Sequence, residues 1–391
     1  MGEGNVLDAR DPVTPAAELR WRDLGFVLTF ALALLPWAAV GLARAGWPID
    51  ACAWFPLLVI FGVLPLLDRA FGNDTHNRDP SQARAAAAQR VFRFLTLLTL
   101  PAWAAVLAYS AWQFVELPFD ATGCIGWTLS TGILGGILAI NPAHELIHKS
   151  SRVERTFGGV LLVCVGYHGF KIEHVRGHHV HVATPQDAST ARLGESVYRF
   201  VPRALALNTR NAWRLEAVRL RAANHALVSA HNEMLCWSVA WLGLLAVFGA
   251  WLGTAGAAFF IVQGLAAAAS LEVINYVEHY GLQRRELAPG RYERTTHLHS
   301  WNASQRLSNW LLFNLQRHSD HHARAALRYQ VLRHHDDSPQ LPAGYATMFV
   351  LALIPPLWRR VMDPRARRAA QRTTAPGRAL IRGGTPPASL Q

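Results

Sequence analysis

The sequence has little charge for its length. Of its 391 residues, 16% are charged and 51% are hydrophobic. A chain this long would ordinarily form two or three soluble domains, but this composition is typical of membrane proteins. The sequence also has no glycine-rich nucleotide-binding loop and no cleavable secretory signal, so we expect the first apolar run to act as a signal-anchor.

Cysteine is scarce and unpaired. The four residues lie scattered through apolar segments, at Cys52, Cys124, Cys164 and Cys236. This spacing argues against a disulfide framework and against a thiolate metal site. We therefore expect the four side chains to be buried and to pack as small hydrophobic groups.

The sequence instead contains long apolar runs. They occupy residues 24–43, 52–67, 94–114, 122–143 and 235–277. The last run holds 43 residues without a Lys or Arg, which is twice the ~20 residues that one helical span needs. We divide it near Gly253 into a hairpin. The sequence thus predicts an all-α integral membrane protein with six transmembrane helices.

The basic residues predict the orientation of these spans. Of the 38 Lys and Arg residues, 37 fall on one side of a six-span arrangement. This bias predicts that both termini lie in the cytoplasm. The net charge of +12 therefore favours membrane lipid headgroups and an acidic protein partner over nucleic acid.

The predicted organisation has three parts: a polar N-terminal segment (1–22), a membrane domain (23–362) and a basic, disordered tail (363–391). Cytoplasmic insertions interrupt the membrane domain at 149–234 and 278–340.

Two segments outside the spans have their own patterns. An alanine-rich stretch beginning at Ser81 predicts a short helix. The apolar run 341–358 contains Pro355 and Pro356, and eight arginines follow it. If this run crossed the bilayer, those arginines would lie outside, so we expect a re-entrant or surface-lying helix.

Half of the 18 histidines lie in four groups near the ends of predicted spans. These are His144 and His148; His174, His178 and His179; His279; and His318, His321 and His322. Residues four apart share a helix face, so His174 and His178 should act together while His179 points roughly 100° away, toward a second metal. Nine imidazoles suit two ions with four or five ligands each. Imidazole binds Fe, Zn, Cu and Ni alike, so the spacing leaves the metal open.

The motifs HELIHK, EHVRGHH, NYVEHYG and LQRHSDHH resemble those of the membrane alkane 1-monooxygenases. These are non-haem di-iron enzymes of the membrane fatty acid desaturase and hydroxylase superfamily. The resemblance covers roughly residues 20–365. It implies two iron ions held by the nine histidines, and insertion of one oxygen atom of O₂ into the terminal methyl group of an n-alkane to give a 1-alkanol.

The same resemblance implies partners and a location. Electrons would come from a separate rubredoxin and its NAD(P)H-dependent reductase, because the chain has no paired CxxC motifs to hold a rubredoxin iron. A basic cytoplasmic face would favour docking of an acidic donor. The protein would lie in the bacterial cytoplasmic (inner) membrane, with its metal site on the cytoplasmic side.

Other side chains are candidates for supporting roles. Carboxylates next to the histidines could orient the rings through their N–H groups, and they are Glu145, Glu173, Asp187, Glu278 and Asp320. His168 lies outside the spacing and is expected to be structural. Bulky residues could line a substrate channel or pack against lipid, and these are Trp54, Phe55 and Trp103.

Two other functions remain open at the level of sequence. One is a related membrane di-iron enzyme, either a fatty acyl desaturase or an aromatic side-chain hydroxylase such as xylene monooxygenase. The other is a metal carrier, which is disfavoured because transport sites usually lie near the bilayer midplane.

Overall fold

The computed structural model describes residues 21–374 and is mostly helical. The α-helices are α1 (Trp21–Leu24), α2 (Thr29–Ala33), α3 (Leu35–Arg44), α4 (Ile49–Ala53), α5 (Phe55–Leu58), α6 (Leu64–Phe71), α7 (Pro80–Ala88), α8 (Arg90–Glu116), α9 (Ala121–Gly135), α10 (Asn141–Ile147), α11 (Arg152–Cys164), α12 (Phe170–Glu173), α13 (His179–His181), α14 (Val197–Ala222), α15 (Glu233–His279), α16 (Arg306–Leu311), α17 (His318–Ala323), α18 (Tyr345–Ala352) and α19 (Pro355–Thr374). Shorter segments are π-helical (Val59–Val63, Gly136–Ile140 and His174–His178) or 3-10 helical (Gly25–Leu28 and Tyr329–Val331). Strands β1 (Glu286–Ala288) and β2 (Arg291–Tyr292) form a small antiparallel hairpin.

Within residues 21–374, three helical stretches are long and apolar enough to cross a membrane: α8, Ala121–Ile147 and α15. The pair Arg22–Ala33 and Leu35–Arg44, bent by 45°, makes a fourth candidate. Helix length therefore does not confirm six spans.

The second predicted span, 52–67, accounts for much of this difference. It consists of α4, α5, a π-helical segment and α6, none of which is long enough to cross alone. Pro56 and Pro65 stand at the starts of α5 and α6. Proline cannot donate a helical hydrogen bond and is tolerated best in the first turn, so each proline starts a new short helix.

The predicted hairpin in 235–277 is confirmed. Gly253 interrupts α15 with φ 67° and ψ −162°, a conformation that glycine adopts most readily. The rings of Phe248 and Phe260 stack with centroids 4.8 Å apart. Twelve residues of straight helix would separate them by about 18 Å, so the two arms of α15 fold back on each other.

Small residues bring α9 against the second arm of α15. A Cβ at Gly132 would lie 2.5 Å from Cβ of Ala266, and one at Gly136 would lie 2.5 Å from Oγ of Ser270. Small residues allow such close approach of membrane helices. This packing sets the end of α10 near the end of α15, where two of the histidine motifs lie.

The short helix predicted from Ser81 is confirmed as α7, which Asp79 caps by accepting from the backbone N–H of Gln82. The run 341–358 contains α18, whose eight residues include the buried Met348 and Phe349. Eight residues are too few to span a bilayer.

The tail is ordered further than predicted. Helix α19 continues to Thr374, so the prediction of disorder from residue 363 is wrong for residues 363–374. Alanine and arginine favour helix, and Met362 and Ala366 pack in a hydrophobic core with Trp358. The remainder of the tail, 375–391, and residues 1–20 of the N-terminal segment lie outside the described residues.

All four cysteines are free. Cys52 and Cys164 are buried as predicted, and Cys124 is half-buried. Cys236 is exposed on the first arm of α15, and the expectation of burial is wrong there. An apolar helix facing lipid exposes small hydrophobic side chains without the cost they would have in water.

Candidate metal centre

The first two histidines lie at the end of α10. His144 belongs to the helix, and His148 is its C-cap. Their ring centroids are 5.5 Å apart, as expected for residues four apart on one helix face. Every residue of α10 is buried, including His144, and His148 is half-buried.

The second motif differs from the α-helical geometry that its spacing suggested. His174–His178 is a π-helix, in which hydrogen bonds join residues five apart and the turn is wider. Nε2 of His174 consequently lies 3.0 Å from Nε2 of His179, while His178 faces elsewhere. The prediction that His174 and His178 act together, with His179 apart, is therefore wrong.

The remaining histidines come from the end of α15 and from α17. His279 is the last residue of α15, and His318, His321 and His322 lie on α17. Phe313 and Asn314 precede α17 with φ of 50° and 56°, which is unusual for residues other than glycine. The side chain of Asn314 donates to the carbonyl of Tyr329 at 2.9 Å, which helps to hold this turn.

The structure brings all nine histidines together in two groups. The five-histidine group is His144, His148, His174, His179 and His321. The four-histidine group is His178, His279, His318 and His322. Within each group, one nitrogen from every ring lies within 4.8 Å of the others.

Nε2 atoms face one another in both groups. In the four-histidine group, Nε2 of His322 lies 2.9 Å from that of His318 and 3.2 Å from that of His178. In the five-histidine group, Nε2 of His321 lies 3.2 Å from that of His179. Ligands bound about 2.0–2.1 Å from one metal ion have this kind of spacing.

The electrostatics also suit a metal. Burial lowers the pKa of His174, His321 and His322 well below the usual value, and neighbouring imidazoles lower it further. These rings are thus neutral and offer a lone pair, as metal binding requires. Nε2 of His144 and Nε2 of His148 are buried without a hydrogen-bond partner. Buried nitrogens of this kind are costly unless something binds them, so the residues present fit a metal site.

Two of the five predicted carboxylates contact the rings. Asp187 accepts from Nδ1 of His178 at 3.0 Å, which leaves Nε2 as the lone-pair nitrogen. Burial lowers the pKa of His178, but the carboxyl groups of Asp187, Glu173 and Glu278 together more than offset this, with Asp187 contributing most, and the pKa lies above its usual value. Glu278 lies 3.2 Å from Nε2 of His318.

The other three carboxylates bind other partners. Glu145 pairs with Lys149 at 2.9 Å, and Asp320 pairs with Arg324 at 2.6 Å. Glu173 contacts Asn211, and burial raises its pKa to about 8. Sequence proximity suggested that these groups orient the rings, but their side chains point toward neighbouring loops and helices.

His168 lies outside both groups, as predicted, with its Nε2 3.0 Å from Oγ of Ser238. The three bulky residues proposed for a channel differ in burial, and Trp54 is exposed. Trp54 donates to the carbonyl of Thr122 at 3.2 Å. Trp103 is fully buried against Gly135, and Phe55 packs at the edge of the main hydrophobic core.

A separate apolar cavity lies beside the histidines. Trp54, Phe55 and Trp103 do not line it. Its walls include Ile60, Phe61, Ile133 and Phe349. A smaller cavity lined by His144 and His321 shares Asn141 and Leu315 with it. An apolar chamber therefore adjoins the five-histidine group.

Tyr345 is a residue near the centre that sequence reasoning missed. Its hydroxyl donates to Glu278 at 2.7 Å, and its ring lines the apolar cavity. It lies 67 residues from Glu278 in the chain, so no local pattern could have linked the two.

Comparison with known proteins agrees with this centre. Residues 121–352 match the fatty acid desaturase family model. Alkane 1-monooxygenase 1 of Pseudomonas aeruginosa is 53% identical over 313 residues, which is 80% of this chain and 82% of that protein. Alkane 1-monooxygenase 2 of Alcanivorax borkumensis is 48% identical over 354 residues, which is 90% of this chain and 92% of that protein.

A more distant relative has a different printed activity. The xylene/toluene monooxygenase hydroxylase component of Pseudomonas putida is 30% identical over 261 residues, which is 66% of this chain and 68% of that protein. The alkane relatives are more similar and cover more of the chain. From its histidine motifs, its nine-histidine centre and this identity, the chain belongs to the alkane 1-monooxygenase family of membrane oxidoreductases, within the fatty acid desaturase superfamily.

Proposed function

We propose that this protein is a membrane di-iron monooxygenase that converts n-alkanes into 1-alkanols. The overall reaction consumes the alkane, O₂, two electrons and two protons, and yields the 1-alkanol and water. The observation that carries the proposal is the gathering of nine histidines in two groups, one of which lines a small cavity that shares Asn141 and Leu315 with an apolar cavity. A terminal C–H bond has no acidic proton and no dipole, so only a strong oxidant can attack it.

The nine histidines would hold the iron ions, one in each group. The sequence predicts four or five imidazole ligands for each of two ions, and the two groups contain five and four. Bound iron would supply the oxidant that side chains alone cannot provide. Preference for iron over zinc or copper does not follow from imidazole chemistry; the family supports it.

The rest of the protein would position the substrate and exclude water. An alkane offers no polar handle, so shape and apolar contact must orient it. Ile133 and Phe349 would contact the alkane. Asn141 and Leu315 border the passage toward His144.

Product identification tests this function. Membranes containing the protein, supplied with reductant and O₂, should convert n-octane to 1-octanol. They should not form unsaturated products from acyl-CoA. Xylene should be a poor substrate. Desaturated acyl chains or methylbenzyl alcohol as the main product would instead support one of the related enzymes.

A matched pair of variants tests the cavity. Ile133→Phe adds a ring inside it and should shift preference toward shorter alkanes. Leu129 lies one turn away on α9 and is exposed, so Leu129→Phe should leave the preference unchanged. Equal chain-length profiles for the two variants would remove the cavity from the substrate path.

We further propose six spans in the cytoplasmic (inner) membrane, with the metal centre and both termini on the cytoplasmic side. Support comes from the 37 basic residues on one side of the arrangement. A single cysteine at Ala288 should react with an impermeant maleimide only in inside-out vesicles. One at Ala121 should react only in right-side-out vesicles, and the reverse pattern would overturn this orientation.

Rubredoxin, reduced by an NAD(P)H-dependent reductase, is the proposed electron donor. The net charge of +12 favours an acidic protein. Added salt should therefore slow electron delivery from rubredoxin but not from a neutral chemical reductant. Equal salt responses with the two reductants would exclude electrostatic docking.

A further inference from the structure

Three more side chains with metal-binding chemistry lie together outside the nine-histidine centre. They are His297, His335 and Asp337. Nε2 of His297 is 2.9 Å from Oδ2 of Asp337. The two imidazoles stack with centroids 4.5 Å apart. The proposed function uses none of these groups.

Backbone pairing brings the two loops of this cluster together. The N–H of Asn302 donates to the carbonyl of Pro339, and the N–H of Leu341 donates to the carbonyl of Asn302, each at 2.8 Å. His335 is itself fixed, because Gln340 and Ser338 donate to its carbonyl at 2.9 and 2.8 Å. The cluster is thus built on a defined loop rather than on free side chains.

Asp320 orients the ring of His335. Its Oδ1 lies 2.7 Å from Nε2 of His335, and its own side chain is fully buried. Nδ1 is then the nitrogen of His335 left for a ligand. A carboxylate that accepts from one imidazole nitrogen while the other binds a metal is a recurring arrangement in metal sites.

The cluster is accessible from solvent. The side chains of His297 and Asp337 are 29% and 70% exposed, and that of His335 is 19% exposed. Two imidazoles and one carboxylate suit zinc and other divalent transition metals, with water completing the coordination. In the nine-histidine centre, by contrast, seven of the nine histidines are buried, and His148 and His179 are half-buried.

We propose that His297, His335 and Asp337 form a separate surface site for a divalent transition metal ion. Asp320, which hydrogen-bonds to His335, lies on α17, the helix that carries three histidines of the main centre. This proposal does not depend on the alkane reaction, because none of the three ligands belongs to the nine-histidine centre.

The test is a metal titration of the full-length, iron-loaded protein, purified without a polyhistidine tag. Co²⁺ is the probe, because its visible absorption reports coordination, and iron content is measured at each point. We expect one additional equivalent of Co²⁺ per chain with no loss of iron. His297→Asn and Asp337→Asn should each weaken Co²⁺ binding by at least roughly 10-fold, since losing even an outer partner of a metal ligand costs about 10–100-fold.

His76→Asn is the matched control, because His76 is also an exposed loop histidine. It should bind Co²⁺ as the unaltered protein does. Asp337→Asn preserves a hydrogen-bond acceptor for His297, so its effect separates a metal ligand from a structural ion pair. Absence of the extra equivalent would overturn the proposal. So would an equivalent that survives both substitutions, as it would if the stacked pair His225 and His231 bound the ion.

Discussion

The four-histidine and five-histidine groups use the same side chain with different support. Asp187 and Glu278 contact His178 and His318 of the four-histidine group. Among the described residues, no carboxylate lies within hydrogen-bond distance of the five-histidine group. There the stacked ring of Phe170, 4.4 Å from His174, and the other imidazoles surround the site. The four-histidine group thus has the Asp187 carboxylate beside it. The five-histidine group has no such contact among the described residues, and it lines a small cavity that shares Asn141 and Leu315 with the apolar cavity.

This difference suggests a division of labour between the two positions. A carboxylate that accepts from the outer N–H of an imidazole, as Asp187 does from Nδ1 of His178, raises the basicity of that ring and so strengthens metal binding. A neutral, apolar surrounding restricts water and suits contact with a hydrocarbon. We expect the four-histidine group to hold its metal more tightly and the five-histidine group to lie closer to the substrate.

Neighbouring residues on α17 give the largest test. His321 belongs to one group and His322 to the other, so His321→Ala and His322→Ala each remove one ligand from a different site. Both should abolish hydroxylation and lower bound iron toward one ion per chain. Metal analysis with Mössbauer spectroscopy should show a different remaining ion in each variant.

Full activity with two iron ions in His321→Ala or His322→Ala would remove that residue from the ligand set. Identical remaining spectra would mean that the two groups do not form separate sites.

Removing the charge from Asp187 should have the next largest effect. Asp187→Asn takes away the carboxylate that accepts from His178, and the loss of such a partner costs about 10–100-fold in metal affinity or activity. Chelator competition should show weaker binding at the four-histidine site alone. Glu173→Gln is the control, because Glu173 is buried nearby and contacts Asn211 instead. Equal losses in the two variants would point to a general disturbance of the packing around the group rather than to loss of the carboxylate that contacts His178.

Tyr345→Phe should have a smaller effect on the same group. It removes the hydroxyl that donates to Glu278, and a hydrogen bond to a carboxylate contributes about 1.5 kcal/mol, or roughly tenfold in affinity. The loss should again concern the four-histidine site. Tyr280→Phe, which removes a hydroxyl bonded to Asp363, should leave metal binding unchanged. An effect on the five-histidine site alone would contradict a role for Tyr345 in supporting the four-histidine group.

Phe170→Leu should have the smallest effect and act on the opposite group. Loss of ring stacking on His174 should cost about 0.5–1 kcal/mol, or roughly threefold in metal affinity. Spectroscopy should report the change at the five-histidine site. Phe157→Leu, at the edge of the core on α11, is the control. A shift in the four-histidine spectrum would show that the groups are coupled through His174.

Sequence predicted some elements of the fold because their signals are local. The break at Gly253, the helix beginning near Ser81 and the absence of disulfides each rest on a few neighbouring residues. Helix length does not confirm the predicted number of membrane spans, because prolines at 56 and 65 divide one apolar run into short helices. Helical order in 363–374 depends on packing of Met362 and Ala366 that composition does not encode.

The sequence by itself determined which nine histidines gather, since motif spacing and apolar runs place them near the ends of helices. Only the tertiary structure decided how the nine divide. The π-helix at His174–His178 changes which ring faces which group, and chain folding brings Tyr345 to Glu278 and His297 to His335. Helical periodicity is a local property, whereas these contacts depend on the packing of segments distant in the chain.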